Sequence, residues 1–459
     1  MKKVLTSILI ATFMLMLPIT AFASTLDEVR TIIDRNYVGE INGRLDDATS
    51  IKEMVDMLDK YSTYFTKEEY QAFVNSIEQT TVGIGVVIEK HEKGILIMDV
   101  ISDGSAQNVG IEVGDIITAV NGQSLQLMTI EEAQSMITGK EGTSVTITIL
   151  KTDGTIKTLS IIRKPFDIEN VTSKLMYGNV GYIQLNSFSS NGVSEVKKAY
   201  EQLVSKGATS FILDLQNNGG GYVSTAEDII GLFQGATNAY KLRVTEGVYT
   251  APSTYQSVQF PSNTKVLVNR FSASASEMTA AALLDQNAAT LYGEKTYGKG
   301  TMQTFYQLSD GSYLKLTVGE FYGPKNTVVN QTGIIPHIQT DSNPLYLAHF
   351  DSIVENIKGY KKLGNLTDVA TTKQFSINFN KPVQLPTQTG TVELVKLGGG
   401  TVEFTPSLSE DKKHLYITPN APLQPGEEYM LLIHPKIQDA DGKIMKDGYY
   451  LKITVASNE

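Results

Sequence analysis

Between residues 166 and 340 the sequence alternates short strand-like segments with longer helix-like ones, and this alternation constrains the fold most. Runs rich in β-branched and aromatic residues, such as TSFILDLQ, are separated by segments of helical periodicity, such as VSEVKKAYEQLVSKG. The pattern predicts an α/β fold with helices packed on a parallel sheet. Two unusual turns, NNGGG at 217–221 and FSASASE at 271–277, each follow a predicted strand. Because ligands bind beyond the carboxyl ends of such strands, we expect both turns to face one crevice.

The rest of the chain differs in texture from this α/β part. With 459 residues it is too long for one ordinary core. An amphipathic, helix-rich arm comes first and is expected to pack on a neighbouring part or on a second copy of the chain. A segment of short strands with glycine turns precedes the α/β part. A polar helix follows it, which is expected either to tie the core together or to act as a connector. The chain ends in alternating strands with Pro/Gly turns, which suggest a small sandwich. The predicted boundaries are 1–23 signal peptide, 24–78 helical arm, 79–165 strand-rich domain, 166–364 α/β core and 365–459 β-sandwich.

The first residues have the features of an export signal. Lys2 and Lys3 precede an apolar run, and Ala21-Phe22-Ala23 fits a small-x-small cleavage site. We predict removal after Ala23, which places the mature chain outside the cytoplasm, either secreted or associated with the cell envelope. The alternative is an uncleaved membrane anchor, for which the apolar run is short against the roughly 20 residues of a full span.

Composition excludes several classes of function. The net charge is −10, and removing residues 1–23 takes away two lysines to leave −12. Since no block of lysine or arginine interrupts this acidic chain, no nucleic-acid partner is expected. The chain has no cysteine, which rules out disulfides and thiolate metal sites, and no two histidines have the i, i+4 spacing of a helical metal site. We therefore expect no metal and no cofactor. The histidines are His91, His337, His349, His414 and His434.

The serine-rich turn could hold a nucleophile if a base lies near it, because a serine hydroxyl reacts poorly until its proton is removed. His337 has no acidic residue at a persuasive spacing. Lys299 lies between two glycines, with uncharged neighbours that could lower its pKa by excluding water, and Gln303 follows four residues later. Two plainer interpretations stay open: Lys299 is a solvated surface lysine, and Ser274 with Glu277 forms only a helix capping box.

A second candidate site is GIGVVI, from Gly83 to Ile88. Glycines there allow a tight turn before an apolar strand, which would leave free N–H groups to hold the terminal carboxylate of a peptide. The strand edge would then pair with the peptide backbone. An ordinary bulge in a sheet is the alternative. The residues that we expect to contact a peptide are Gly83, Ile84, Gly85 and Val86.

Five motifs in a fixed order resemble one family. LDKYSTYF, GIGVVI, DLQNNGGG, FSASASE and YGKGTMQ are similar to the motifs of the carboxyl-terminal processing (tail-specific) serine peptidases, over about residues 26 to 345. The resemblance implies a circularly permuted PDZ domain at 79–165 and a crotonase-like α/β protease core. It also implies a Ser/Lys dyad, with the middle serine, Ser274, as nucleophile, Lys299 as base and Gln303 as helper. The amides of Gly220 and Ala275 would form the oxyanion hole.

The function that this resemblance implies is an exported serine endopeptidase that cleaves proteins near their carboxyl termini, after the PDZ domain has bound the substrate's free tail. A non-catalytic scaffold of PDZ and Ig-like modules is the main alternative, and an esterase or amidase with the same dyad is another. The last segment resembles a bacterial Ig-like domain, which could be a spacer or bind a cell-envelope partner. By analogy with the family, the helical arm could form a homodimer.

Three positions depart from the family pattern. Gln216 stands where relatives usually have an arginine before the glycine loop, and His337 stands where they usually have an aspartate. Lys151 lies near the place of an arginine that in relatives often links the PDZ domain to the protease body. Because of these departures, regulation by the PDZ domain is a weaker expectation than catalysis by the Ser/Lys dyad.

Overall fold

The computed structural model describes residues 24–101, 104–128, 130–167, 169–340, 342–385 and 390–457. The predicted signal peptide lies outside these residues. The chain divides into two compact units, of which the smaller comprises the described part of Met1–Gln71 together with Val244–Glu246 and Met302–Gly319. The larger unit contains the remaining residues. No helix in the described part of the chain is both long and apolar enough to cross a membrane.

The elements are numbered along the chain. The helices are α1 (Thr25–Asn36), α2 (Ile51–Asp56), α3 (Lys67–Ile77), α4 (Ser105–Asn108), α5 (Ile130–Ile137), α6 (Gly192–Ser205), α7 (Val223–Ile230), α8 (Ala275–Gln286) and α9 (Pro344–Asn356). The strands up to the end of the PDZ-like segment are β1 (Thr63–Phe65), β2 (Thr80–Gly83), β3 (Val86–His91), β4 (Gly94–Val100), β5 (Ile116–Val120), β6 (Gln123–Ser124), β7 (Ser144–Leu150), β8 (Ile156–Ile162) and β9 (Lys164–Asp167).

Two further groups of strands follow. Those of the α/β part are β10 (Val171–Met176), β11 (Val180–Leu185), β12 (Ser210–Asp214), β13 (Asn238–Val244), β14 (Gly247–Pro252), β15 (Lys265–Val268), β16 (Thr290–Gly293), β17 (Thr301–Gln307), β18 (Tyr313–Tyr322) and β19 (Ile338–Gln339). Those of the C-terminal part are β20 (Lys361–Lys362), β21 (Leu366–Val369), β22 (Phe375–Asn378), β23 (Val392–Lys396), β24 (Thr401–Val402), β25 (Phe404–Leu408), β26 (His414–Pro419), β27 (Glu428–Ile433) and β28 (Tyr449–Val455).

The smaller unit is built on the amphipathic helices of the arm. Val29 and Ile33 on α1 are buried with Met54 on α2, and this apolar cluster includes Leu314 and Leu316 of β18. Strand β1 pairs with the same β18 in antiparallel fashion. The arm therefore buries its apolar faces on a strand of its own chain, which is the first of the two packing partners expected from the sequence.

The PDZ-like segment of the larger unit forms one antiparallel sheet with a helix, α5, beside it. The strand order is β3-β4-β5-β7-β8, with β6 paired to β5. Strand β3, which follows the glycine turn, therefore lies at the edge of the sheet. Strands β7 and β8 form a hairpin, in which the N–H of Lys151 donates to the carbonyl of Thr155 across the Asp153-Gly154 turn.

The predicted parallel sheet forms the centre of the larger unit. Its order is β10-β11-β12-β15-β16-β19, and every pair from β11 onward is parallel. Each residue of β12 is buried, as expected of a strand covered on both faces. Since β12 and β15 are adjacent and parallel, the turns after them emerge side by side at the same edge of the sheet.

Of its two expected roles, helix α9 has the first, that of tying the core together, and it is more buried than a polar connector would be. Ala348 packs against the central sheet with Tyr182 and Leu267. Phe350 and Ile353 on the same helix pack with Val395 and other apolar residues of the C-terminal strands. The helix is thus a shared core element between the α/β part and the C-terminal part.

The C-terminal part is the predicted sandwich. One sheet has the order β20-β28-β27-β23-β24, with β21 also paired to β28, and the other has the order β22-β26-β25. Leu394, Leu431 and Ile453 of the first sheet share a core with Leu415 and Ile417 of the second. The interpretation of this part as a spacer omitted its close packing on α9.

A buried histidine joins the sandwich to the α/β part. His349 on α9 is fully buried; its Nδ1 accepts the N–H of Gly398, and its Nε2 lies 2.9 Å from the carbonyl oxygen of Tyr177. These partners require a neutral ring with its proton on Nε2. Burial lowers the pKa of His349 to about 4, with a smaller effect in the same direction from Lys174 and an opposing effect from the hydrogen bond to Tyr177. Protonation would replace the acceptor at Nδ1 with a donor that faces another donor.

The first prediction concerns the pH dependence of stability. A histidine whose pKa is lowered in the folded state stabilises the protein above its unfolded pKa of about 6.5, and this contribution is lost as the pH falls toward 4. The full contribution of His349 to the free energy of unfolding is about 3 kcal/mol, since one pKa unit corresponds to about 1.4 kcal/mol. We expect wild type to lose more free energy of unfolding than His349→Gln between pH 7 and pH 4.5, as measured by urea denaturation. His91→Gln, at a partly exposed site, should match wild type; an equal loss in His349→Gln would contradict the prediction.

Candidate active site

The glycine-rich and serine-rich turns meet at the carboxyl edge of the central sheet. The backbone carbonyl of Asn218 accepts the N–H of Ala273 at 3.0 Å and the hydroxyl of Ser276 at 2.8 Å. A Cβ placed on Gly220 would lie only 2.8 Å from the Cβ of Ser274. Only glycine allows this approach, so the loop backbone contacts the serine turn directly. The two turns therefore lie side by side, as expected from the sequence.

Two of the three serines are engaged in structural hydrogen bonds. The hydroxyl of Ser272 donates to the carbonyl of Leu215, and that of Ser276 donates to the carbonyl of Asn218; both side chains are fully buried. Ser274 lies between them and is partly exposed. The outer serines therefore have a structural role, whereas the side chain of Ser274 reaches partly into solvent.

Ser274 has a backbone conformation that is rare for a residue with a side chain. Its φ is 55° and its ψ is −111°, which places it outside the allowed regions for ordinary L-residues. Such a conformation costs about 1 to 3 kcal/mol and persists only where the surroundings enforce it. Helix α8 begins at the next residue, Ala275, whose N–H belongs to the first turn and has no partner within the helix.

One carboxylate enforces this conformation and joins it to the lysine-bearing segment. Glu277 is fully buried, and its Oε2 accepts the N–H of Ser274 at 3.1 Å and that of Lys299 at 2.7 Å. Its Oε1 accepts the hydroxyl of Thr296 and the N–H of Gly298, both at 2.6 Å. The predicted capping box of Ser274 and Glu277 is therefore present, and the same Glu277 side chain also accepts the N–H groups of Gly298 and Lys299.

The surroundings of Glu277 favour its ionised form through hydrogen bonds and oppose it through burial. Burial raises the pKa of the carboxyl, while the bonds from Thr296, Gly298, Lys299 and Ser274 each lower it, and the net direction is upward. All four neighbours present hydrogens, and a carboxylate is a pure acceptor. A charged carboxylate therefore satisfies every donor that points at it.

The two predicted oxyanion amides differ in their state. The N–H of Ala275 lies in the first turn of α8, where backbone N–H groups have no acceptor within the helix. The N–H of Gly220 instead donates to Oδ1 of Asn218 at 2.9 Å. Gly220 is buried and has a φ of 108°, and its carbonyl accepts the N–H of Phe188.

The remaining dyad candidates lie on one continuous stretch of chain. Lys299 is partly exposed and precedes β17 by two residues. Gln303 belongs to β17 and to the smaller unit, where its side-chain amide donates to the hydroxyl of Thr317 at 3.2 Å. The backbone of Lys299 is fixed by Glu277, as described above.

His337 is engaged in a bond to the backbone. Its Nδ1 accepts the N–H of Leu291 at 3.0 Å, and burial lowers its pKa. This hydrogen bond links β16 to the residue just before β19, so His337 has a structural role.

The other two departures from the family pattern also have local roles. Next to Gln216, Asp214 accepts the Tyr182 hydroxyl and the N–H of Gln216, and burial raises the pKa of its carboxyl to about 6. Lys151 bonds to Glu112 and Asp115 within the PDZ-like segment.

The glycine turn of the PDZ-like segment has a tightly packed backbone. Gly85 has a φ of 79°, and a Cβ on it would lie 2.6 Å from the Cα of Gly104. Ile84 is buried in the apolar core, Gly83 ends β2, and Val86 starts the edge strand β3. A tight turn next to an open strand edge is the arrangement that accepts an added peptide strand.

The sequence alone did not identify the roles of three residues of this region, Asn218, Thr296 and Glu277. These roles depend on contacts between segments that are distant along the chain. Two of the residues carried a signal: Asn218 belongs to the glycine-rich turn, and Glu277 is the last residue of a possible capping box.

Comparison with known proteins adds independent findings. Residues 179–340 match the profile of Peptidase family S41, residues 96–151 that of a PDZ domain and residues 363–454 that of a bacterial Ig-like domain. Among solved structures, the photosystem II D1 C-terminal processing protease aligns with a TM-score of 0.46 and 24% identity, over 72% of this chain and 96% of that one.

Two curated relatives extend the match beyond the core. The carboxy-terminal processing protease CtpA of Bacillus subtilis is 35% identical over 294 residues, which are 64% of this chain and 63% of that protein, so the match spans less than two thirds of its length. A probable CtpA-like serine protease of Staphylococcus aureus is 32% identical over 341 residues, which are 73% of this chain and 68% of that protein. By this identity and coverage, the chain belongs to peptidase family S41, the family of the carboxy-terminal processing proteases.

Proposed function

We propose that this protein is an exported serine endopeptidase that cleaves protein substrates near their carboxyl-terminal tails. Ser274 is the nucleophile, Lys299 the general base and Gln303 its helper. One observation carries the proposal: a single buried carboxylate, that of Glu277, binds the N–H groups of both Ser274 and Lys299. The serine turn and the lysine-bearing segment are thereby fixed to one another.

The proposed reaction proceeds through an acyl-enzyme. Neutral Lys299 accepts the hydroxyl proton as Oγ of Ser274 attacks the scissile carbonyl carbon. The oxyanion is held by the amides of Gly220 and Ala275, and each such donor is worth roughly 3 to 4 kcal/mol. The C–N bond then breaks, the leaving amine takes the proton from Lys299, and a water deprotonated by Lys299 releases the acyl group.

Substrate recognition is assigned to the PDZ-like segment. A tail with a free carboxylate would bind its terminus at the glycine turn, Gly83 to Val86, and add its backbone to the edge of β3. Partly buried apolar residues that pack on this segment's core, among them Val86, Ile88 and Met136, favour tails that end in apolar side chains. The partners are therefore proteins or peptides with free carboxyl-terminal tails.

Location and assembly complete the proposal. Export rests on the signal-like residues 1–23, and cleavage there leaves an extracytoplasmic protein that is secreted or associated with the cell envelope. We retain the domain boundaries expected from the sequence. A homodimer through the helical arm and a cell-envelope partner for the Ig-like domain remain parts of the proposal that rest on analogy.

The second prediction tests the dyad. Lys299→Arg should lose at least about a thousandfold in kcat, because a guanidinium with a pKa above about 12 cannot accept the serine proton. Ser274→Ala should be equally inactive. Activity is measured by cleavage of a peptide with an apolar, free carboxyl terminus, and Lys295→Arg, at an exposed lysine of the same segment, should keep the wild-type rate. Wild-type turnover by Lys299→Arg would exclude a lysine base, and no cleavage by wild type would favour the non-catalytic scaffold.

The third prediction tests tail recognition. Wild type should cleave the free-acid peptide with a kcat/KM about tenfold or more above that of its amidated twin, because amidation removes the charge that the turn is expected to bind. Gly85→Val should abolish this preference, since its side chain would collide with Gly104. Gly154→Asn, in an open turn with a φ of 86°, is the matched control. A preference that persists in Gly85→Val would place tail recognition elsewhere.

A further inference from the structure

Asn218 lies beneath the candidate oxyanion hole and uses all of its polar groups there. Its side chain is fully buried. Nδ2 donates to the carbonyl of Leu185, at the end of β11, at 2.8 Å, and Oδ1 accepts the N–H of Gly220 at 2.9 Å. Asn218 therefore ties the glycine loop to the central sheet through its side-chain amide.

The backbone of the same residue holds the nucleophile turn. Its carbonyl accepts both the N–H of Ala273 and the hydroxyl of Ser276, and its own N–H donates to the carbonyl of Leu215. The two parts of the site that must be in register, the Gly220 amide and the Ser274 turn, are thus both bonded to one residue.

The bond from Gly220 to Asn218 has a consequence for catalysis. The N–H expected to stabilise the oxyanion already has an acceptor in the resting site, the side-chain amide oxygen of Asn218. A neutral amide oxygen is a weaker acceptor than an oxyanion, because charged acceptors bind roughly twice as strongly as neutral ones. An oxyanion that forms next to Gly220 can therefore take this bond over from Asn218.

We propose that Asn218 is a positioning residue of the oxyanion hole, whose neutral side-chain amide aims the Gly220 N–H at rest and yields it to the oxyanion in the transition state. The proposal rests on the proposed peptidase function. It requires that the acceptor at position 218 be uncharged, since a charged one would compete with the oxyanion and repel it. A residue that only packed the loop would carry no such requirement.

Asn218→Asp tests the requirement for an uncharged acceptor, because the substituted side chain has nearly the same shape and becomes charged only when it ionises. A protonated aspartic acid can donate to Leu185 and accept from Gly220 as asparagine does, whereas the ionised form cannot donate. Burial raises the pKa of an aspartate, by up to about 3 to 5 units at fully buried positions, which brings its titration into the range of the assay. The ionisable residues on the adjoining segments, Asp214, Glu277 and Lys299, are the same in wild type and variant, so any pH dependence of the ratio of their rates arises from the charge at position 218, including its effect on these neighbours.

The experiment measures kcat and KM of wild type and Asn218→Asp on the free-acid peptide from pH 5 to pH 9. We expect the variant to keep kcat within about threefold of wild type where residue 218 is protonated. Where it is ionised, kcat should fall by about a hundredfold, the effect of losing an oxyanion donor, with KM within about twofold. Asn217→Asp is the control, because that asparagine is exposed and its φ of 62° is one that aspartate also tolerates; its ratio to wild type should stay flat near one.

Asn218→Ala provides a second variant in case the aspartate variant unfolds at high pH. It should lose about tenfold or more in kcat at every pH, with KM unchanged, because the Gly220 amide is no longer aimed. The proposal is overturned by an Asn218→Asp ratio that does not change with pH, whether high or low, by a change confined to KM, or by wild-type kcat in Asn218→Ala. Absence of Ser274-dependent cleavage in wild type would instead remove the peptidase function, and the oxyanion proposal with it.

Discussion

The geometry of the candidate site depends on one buried carboxylate. Glu277 accepts four hydrogen bonds, from the N–H groups of Gly298, Lys299 and Ser274 and from the hydroxyl of Thr296. The last of these helps to hold Ser274 at a φ of 55°, which a serine would not adopt without such support. Burying a carboxylate without hydrogen-bond donors would destabilise the folded state, so the network and the strained turn stabilise each other. The catalytic proposal follows from this coupling: neither the serine nor the lysine backbone can shift without disturbing the other.

Local signals made much of the fold predictable from the sequence. The alternation of strands and helices predicted the parallel sheet, and adjacency of β12 and β15 then brought the glycine and serine turns together. At the start of α3, Thr66 and Glu69 form a capping box, a pattern local in the sequence, in which the backbone N–H of each residue donates to the side chain of the other. The glycines at 85 and 220 occupy places where a side chain would collide with the neighbouring backbone. In each case the cause lies within a few residues along the chain, or in a rule about how strands pair.

What the sequence could not predict depends on contacts between distant segments. Helix α9 has polar residues along it, yet Ala348 faces the central sheet while Phe350 and Ile353 pack with the sandwich, and nothing local in the sequence indicates this double burial. His349 gave no signal beyond being one of five scattered histidines, and its neutral state follows from Gly398 and Tyr177, which lie 49 and 172 residues away. Asn218 was part of a glycine-rich motif, but its partner Leu185 is 33 residues earlier. Buried polar groups must find partners, and sequence alone does not say which ones.

Hydrogen bonds link the end of the helical arm, close before the PDZ-like segment, to the glycine loop. At the end of α3, just before that segment begins, the carbonyl of Ile77 accepts the hydroxyl of Ser187 at 2.6 Å. Three residues after Ser187, Ser190 donates its N–H and its hydroxyl to the carboxylate of Glu78. Between them, Phe188 donates its N–H to the carbonyl of Gly220. A displacement of residues 77–78 would therefore act on the loop at 187–190 and, through it, on the peptide unit that follows the Gly220 amide. Physical contact of this kind is a precondition for the PDZ-like segment to influence the glycine loop, and here it consists of hydrogen bonds made by the two residues at the end of the arm, close before that segment.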